Sequence, residues 1–190
     1  MHAITHPLPA RQLKGDLAVW ILILSELLVF GLFFLGYAAA ARRHPALFEA
    51  GQATLDTGAA TLNTLALLAA SAVVVMAIER LERQRARDAG RLLALAALLG
   101  SLFLVNKALE LHHHLALGIT LSTSLFHMFY LGLVSFHFMH VLAGVIVLSW
   151  VARRCLHDTP PELNTVWSAG AYWHMVDLVW VVLFPLVYLL

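Results

Sequence analysis

The stretch Ala171-Tyr172-Trp173-His174-Met175-Val176-Asp177-Leu178-Val179-Trp180-Val181-Val182-Leu183-Phe184-Pro185-Leu186-Val187-Tyr188-Leu189-Leu190 decides how the chain reads. A run of this length and apolar character spans a hydrocarbon core of about 30 Å as a helix. His174 and Asp177 interrupt it one turn apart, on one helix face. A carboxylate in such a span costs several kcal/mol unless it is paired, so it faces other protein and often carries function. The chain ends with this helix, and no soluble domain is expected to follow.

Working outward, the whole chain shares this character. Of its 190 residues 61% are hydrophobic and only 12% charged. A soluble domain carries about 25% charged residues. The fold class predicted is therefore all-α, an integral membrane bundle of five transmembrane helices. A net charge of +1 suggests no nucleic-acid partner. The single Cys155 allows no internal disulfide, and no Cys/His zinc spacing occurs.

Residues 1–16 read as a polar cytoplasmic tail, and residues 17–190 as one transmembrane domain. The first helix runs from about Leu17 to Ala41, too long for the apolar core of a signal peptide. Arg42 to Asp56 reads as a loop holding Pro45 and Gly51. The second helix covers about Thr57 to Ile78. Glu79 to Arg91 is densely charged and reads as a solvated connector, with the option of continuing the second helix into water. The third helix starts near Leu92 and continues to about His114. The fourth covers about Leu125 to Ala152. Arg153 to Ala169 is a polar loop with Pro160 and Pro161, and the opening stretch is the fifth helix.

Five crossings put the tail, the 79–91 connector and the 153–169 loop on one side. That side holds Arg11, Lys14, Arg80, Arg83, Arg85, Arg87, Arg91, Arg153 and Arg154, against Arg42, Arg43 and Lys107 on the other. The positive-inside rule places the N-terminus in the cytoplasm and the C-terminus in the periplasm of a multi-pass inner-membrane protein.

The intramembrane polar residues carry the candidate chemistry. Glu26 lies near mid-membrane, as a proton-relay group or a hydrogen-bonded tie between helices; relays need a chain of partners, which favours the tie. Glu110 and His113 form an E-x-x-H step, but a di-iron bundle needs a second one and the chain has none. Lys107, one turn before Glu110, is expected to pair with it. His137 and His140 share a face of the fourth helix, and with His174 and Asp177 form the polar cluster expected. Asn63 is a further tie. Gly31, Gly36, Gly132 and Gly144 suit close helix approach. Trp20, Trp150, Trp167, Tyr172 and Trp173 suit an interfacial belt.

Several of these stretches also resemble a known family, subunit III of haem–copper oxidases. Ala171 to Trp180 is similar to its final-helix signature W/Y-W-H-x-V-D-x-x-W. Phe136-His137-Phe138-Met139-His140-Val141-Leu142-Ala143-Gly144 is similar to its F-H-x-x-H-V-x-x-G. Ser25-Glu26 with Phe30 and Phe33-Phe34 resembles its buried-glutamate helix, and Leu62-Asn63-Thr64 with Ser71 its L-N-T helix. Glu110 falls where the family has a glutamate at the end of the next helix. The chain resembles the five-helix form, which lacks the first pair of helices of the long form and with it one wall of the lipid-holding cleft. Phe129-Tyr130 and the ending L-F-P-L-V-Y look most like the homologues associated with nitric oxide reductase.

The resemblance implies an accessory subunit with no active site, haem or copper of its own. Its expected partners are a haem-bearing catalytic subunit I and membrane lipids, and its expected roles are assembly, proton uptake and turnover stability. Glu26, Glu110 and Asp177 are then the proton-related or buried carboxylates; Asn63, His137, His140 and His174 are polar ties. Glu26 matches the family's carbodiimide-sensitive carboxylate. Two other readings stay open: a small cytochrome b with haem on His140 and His174, and a proton-coupled transporter using Glu26 and Asp177.

Overall fold

The computed structural model describes residues 15–157 and 159–190. The tail through residue 14, with Arg11 and Lys14, lies outside the described residues. Six helices occur among them: α1 Leu17–Arg43, α2 Pro45–Gln52, α3 Thr57–Glu82, α4 Ala86–Ala116, α5 Leu125–Leu156 and α6 Leu163–Tyr188. All but α2 are long and apolar enough to cross a membrane. The chain is an all-α, multi-pass membrane protein.

Helix starts follow local chemistry. The Asp16 carboxylate accepts from the Ala18 N–H at 2.8 Å, and Asp56 from the Ala59 N–H at 2.9 Å. Ser124 Oγ accepts from the His127 N–H at 3.2 Å. Each side-chain oxygen satisfies one of the donors that a helix N-terminus leaves unpaired.

Three connectors differ from expectation: of the expected 153–169 loop, residues 153–156 belong to α5 and 163–169 to α6. The 42–56 segment is not all loop, because Pro45 stands in the first turn of α2. There its missing N–H costs no hydrogen bond and its fixed φ suits a helix. The α2 helix lies on α5 through Phe48 and Gly51. A Cβ on Gly51 would overlap the Phe126 ring, so only glycine permits this approach. The 79–91 connector contracts to a turn at Arg83, Gln84 and Arg85. Gln84 takes φ 59° to reverse the chain, and the Arg85 N–H bonds the Arg80 carbonyl at 2.9 Å. Ala89 and Gly90, expected in solvent, are buried against α5.

Packing is densest along α3, α4 and α5, with α6 closing the bundle and α1 laid on α6 and α5. The buried residues of α1 are Ile23, Phe30 and Tyr37, a single stripe at a seven-residue spacing. Its remaining faces expose apolar surface through Leu17, Ile21, Leu24, Leu28 and Leu32, as suits contact with lipid.

Trp173 corrects another expectation. It is 1% exposed and belongs to the core, not to an interfacial belt. Gly100 and Gly144 make room for its indole, since a Cβ at either would come within 2.9 Å of the ring. Gly36 touches Phe129, whereas Gly31 and Gly132 have nothing within 4 Å of a Cβ and mark no close approach. Trp20 and Trp150 are exposed, as an interfacial position requires.

One end of the bundle is tied by long-range hydrogen bonds. Gly15 N–H donates to Asn164 Oδ1, Asp16 N–H to Ser168 Oγ, and Trp167 Nε1 to Glu82. The start of α1, the α3–α4 turn and the start of α6 therefore share that end. Lys107 is not among the loop cations of the other end, because its side chain is 0% exposed inside the bundle.

Candidate functional site

The polar residues within the spans fall into separate groups. The first joins α1 to α5. Glu26 Oε2 lies 3.1 Å from His140 Nε2, close enough for charge pairing but off hydrogen-bond alignment. Both side chains are mostly buried. Phe30 and Phe136 flank the imidazole, with ring centroids 5.4 and 4.7 Å away. His140 Nδ1 is 2.8 Å from the Phe136 carbonyl. A carbonyl can only accept, so Nδ1 carries the hydrogen and Nε2 is left toward Glu26. Glu26 and His140 thus face each other across the α1–α5 contact.

His174 and Asp177 form a second group with α3. His174 Nδ1 is 3.3 Å from Ser71 Oγ. The Ser71 hydroxyl also hydrogen-bonds Asp177, which is 8% exposed. The expected cluster of His137, His140, His174 and Asp177 is thus divided: His140 turns to α1 and the His174–Asp177 pair to α3. The i, i+3 spacing placed each pair on one face but carried no information about which neighbour that face meets.

His137 has no hydrogen-bond partner among the described residues. It is fully buried, stacked on Trp180 at 5.2 Å and edge-on to Phe103. Its role in the bundle is aromatic packing. Asn106 Nδ2 on α4 donates to Asn63 Oδ1 on α3 at 3.0 Å. At the next residue of α3, Thr64 Oγ1 accepts from Trp180 Nε1 at 2.9 Å.

The remaining group lies near the end opposite the α3–α4 turn. Lys107 Nζ donates to Glu110 Oε2 at 2.6 Å and to Tyr188 Oη at 2.7 Å. Tyr130 and Tyr188 both donate to Glu110 Oε1. The ammonium also lies over the Trp180 and Tyr188 rings, 5.3 and 4.8 Å from their centroids. The Lys107–Glu110 pair was readable from spacing. Tyr130 and Tyr188 were missed as its partners; the available signal was a lysine in an apolar run, which demands several buried acceptors.

No group of three or more His, Cys, Asp or Glu side chains stands close enough to hold a metal among the described residues. Glu110 does not turn to His113 but to Lys107, Tyr130 and Tyr188. His114 Nδ1 contacts the Glu110 carbonyl of its own helix, at 2.8 Å.

The sequence of this chain has counterparts among known proteins. The sequence model of the family described as cytochrome c oxidase subunit III matches residues 10–190. Cytochrome c oxidase subunit 3 of Thermostichus vulcanus is 29% identical, covering 92% of this chain and 86% of the relative. That of Corynebacterium diphtheriae is 30% identical, over 88% and 84%. A haem–copper oxidase subunit I+III of Aeropyrum pernix is 26% identical, over 96% of this chain and 23% of that longer protein. The match spans all five long helices and both partners of the Glu26–His140 contact, and the chain belongs to the cytochrome c oxidase subunit III family.

Proposed function

We propose that this chain is the accessory, non-metal-bearing subunit of a respiratory haem–copper oxidase. The observation that carries the reading is the Glu26–His140 pair, held between α1 and α5 in a chain of this family. A carboxyl and an imidazole with one proton to share give the subunit a means of supporting proton uptake without an active site of its own. The catalytic chemistry, with its haem and copper, belongs to a partner subunit I. The Aeropyrum pernix relative, named as a subunit I+III, supports that partnership. The names of the relatives favour oxygen reduction over nitric oxide reduction.

Residues 17–190 act as one transmembrane unit in the inner membrane, with residues 1–16 as a cytoplasmic tail. Seven arginines at one end, Arg80, Arg83, Arg85, Arg87, Arg91, Arg153 and Arg154, against Arg42 and Arg43 at the other, support this orientation. Lys107 leaves the count because it is buried, and the asymmetry grows. Lipids complete the surroundings of the exposed apolar faces.

The test is affinity purification through this chain from its own membrane in mild detergent. A haem-bearing subunit recovered in equal amount is the expected result. A chain that never brings one down, or that shows a haem Soret band when purified alone, overturns the reading. His140 offers little to a haem, because the Nε2 that would ligate it faces Glu26 at 3.1 Å.

A further inference from the structure

The turn between α3 and α4 carries a built cluster of arginines that the proposed function does not use. The left-handed Gln84 reverses the chain, and the Arg85 N–H bonds the Arg80 carbonyl, which brings residues 80 and 85 side by side. Asp88 then pairs with Arg85 and brings in Arg91. Its Oδ2 lies 2.9 Å from Arg85 Nη2 and its Oδ1 3.6 Å from Arg91 Nη1. Arg80, Arg85, Asp88, Arg91 and Leu92 line an open surface pocket of about 290 Å³. Three arginines and one aspartate line it, a formal surplus of positive charge among the lining side chains. Guanidinium groups held in place suit the oxygens of a phosphate, which they bind through paired N–H donors.

The same pocket has an apolar exit. Leu92 forms part of its wall, and Leu95 and Leu102 continue along that face of α4, 44% and 55% exposed. Charged lining at a helix end, followed by an exposed leucine lane running into the span, matches a phosphate headgroup joined to acyl chains. An acidic protein loop would use the arginines but not the lane.

We infer that Arg80, Arg85 and Arg91 at the α3–α4 turn, with the leucine lane of α4 below them, bind the phosphate headgroup and acyl chain of an anionic membrane phospholipid. Asp88 acts as a positioning residue that holds Arg85 and Arg91 together. The site lies on the hairpin of two helices retained in the five-helix form, and its lining is local to that hairpin.

The test uses the detergent-purified full chain, in whatever complex it is recovered, with bound lipid counted by native mass spectrometry. Phosphatidylglycerol, phosphatidylcholine and inorganic phosphate are the probes. Retention of phosphatidylglycerol over phosphatidylcholine is expected, with R85Q and R91Q each weakening it by about tenfold. R91K restores most of it. R83Q, an exposed arginine of the same turn outside the pocket, is the control for general charge and changes retention by less than about twofold. Equal loss in R83Q, equal retention of phosphatidylcholine, or displacement by inorganic phosphate alone overturns the proposal. So does a variant R85Q that keeps its lipid and loses a co-purifying acidic subunit, because the arginines are then a protein contact.

Discussion

Glu26 and Lys107 are both ionisable groups inside the bundle, and their surroundings separate their roles. Glu26 faces a single imidazole, and under the proposed function the two exchange a proton. Glu26→Gln keeps size and hydrogen-bonding capacity but removes that exchange. The variant is expected to assemble normally while proton uptake slows or the complex inactivates sooner during turnover. Unchanged uptake and unchanged turnover lifetime in the assembled variant would refute a proton role. Lys107 instead sits in a saturated network with Glu110 and Tyr188, whose donors and acceptors are fixed on one another. Its contribution is to hold α4 and α6 in register. Lys107→Met leaves Glu110 without its counter-charge, and breaking one partner of a buried pair costs about 3–5 kcal/mol. Lys107→Met combined with Glu110→Gln is expected to recover much of that loss. Unfolding by SDS from detergent micelles measures both, and a double variant less stable than the single one would count against the reading. The i, i+3 step made the Lys107–Glu110 pair legible in the sequence. Tyr188 was illegible as its partner because that contact depends on where the bundle sets α6 opposite α4, which spacing along one helix does not encode.

At the scale of elements, the long helices were legible because apolar length alone defines a membrane span. Their ends were less so. Arginine and glutamate between residues 79 and 91 signal water, yet the helical hydrogen-bond ladder continues through Glu82 and resumes at Ala86. Charged side chains at a helix end reach solvent without unwinding the backbone, so charge marks the interface and not the turn. The short α2 was hidden for a different reason. Pro45 and Gly51 are punctuation in most contexts, but here the proline starts a helix and the glycine lets it touch Phe126. This contact is testable. Gly51→Ala puts a methyl group into the Phe126 ring, and overpacking of this kind costs about 1–3 kcal/mol. The variant should melt at a lower temperature while keeping its helical circular dichroism, because only the seating of α2 on α5 is disturbed. A melting temperature equal to the parent's would show that α2 does not pack there.

For the whole molecule, the decisive quantity is which end of the bundle faces the cytoplasm. The hydrogen bonds among Gly15, Asp16, Asn164, Ser168, Trp167 and Glu82 place the start of α1 beside the α3–α4 turn and the start of α6. The arginines of that end cannot be divided between two sides of a membrane without breaking those bonds. Burial of Lys107 removes one of the three cations set against them and leaves Arg42 and Arg43. Positive charge near span ends is retained on the cytoplasmic side during insertion, so the α3–α4 turn is expected inside and α2 outside. Cys155 is buried and is the chain's single cysteine, which leaves a clean background for labelling once it is replaced by alanine. In that background, Glu49→Cys on α2 should react with a membrane-impermeant maleimide in intact spheroplasts. Arg83→Cys should react only after the membrane is opened. The reverse pattern would invert the protein, move the Arg80–Arg85–Arg91 pocket to the outer leaflet and expose the Lys107 end to the cytoplasm.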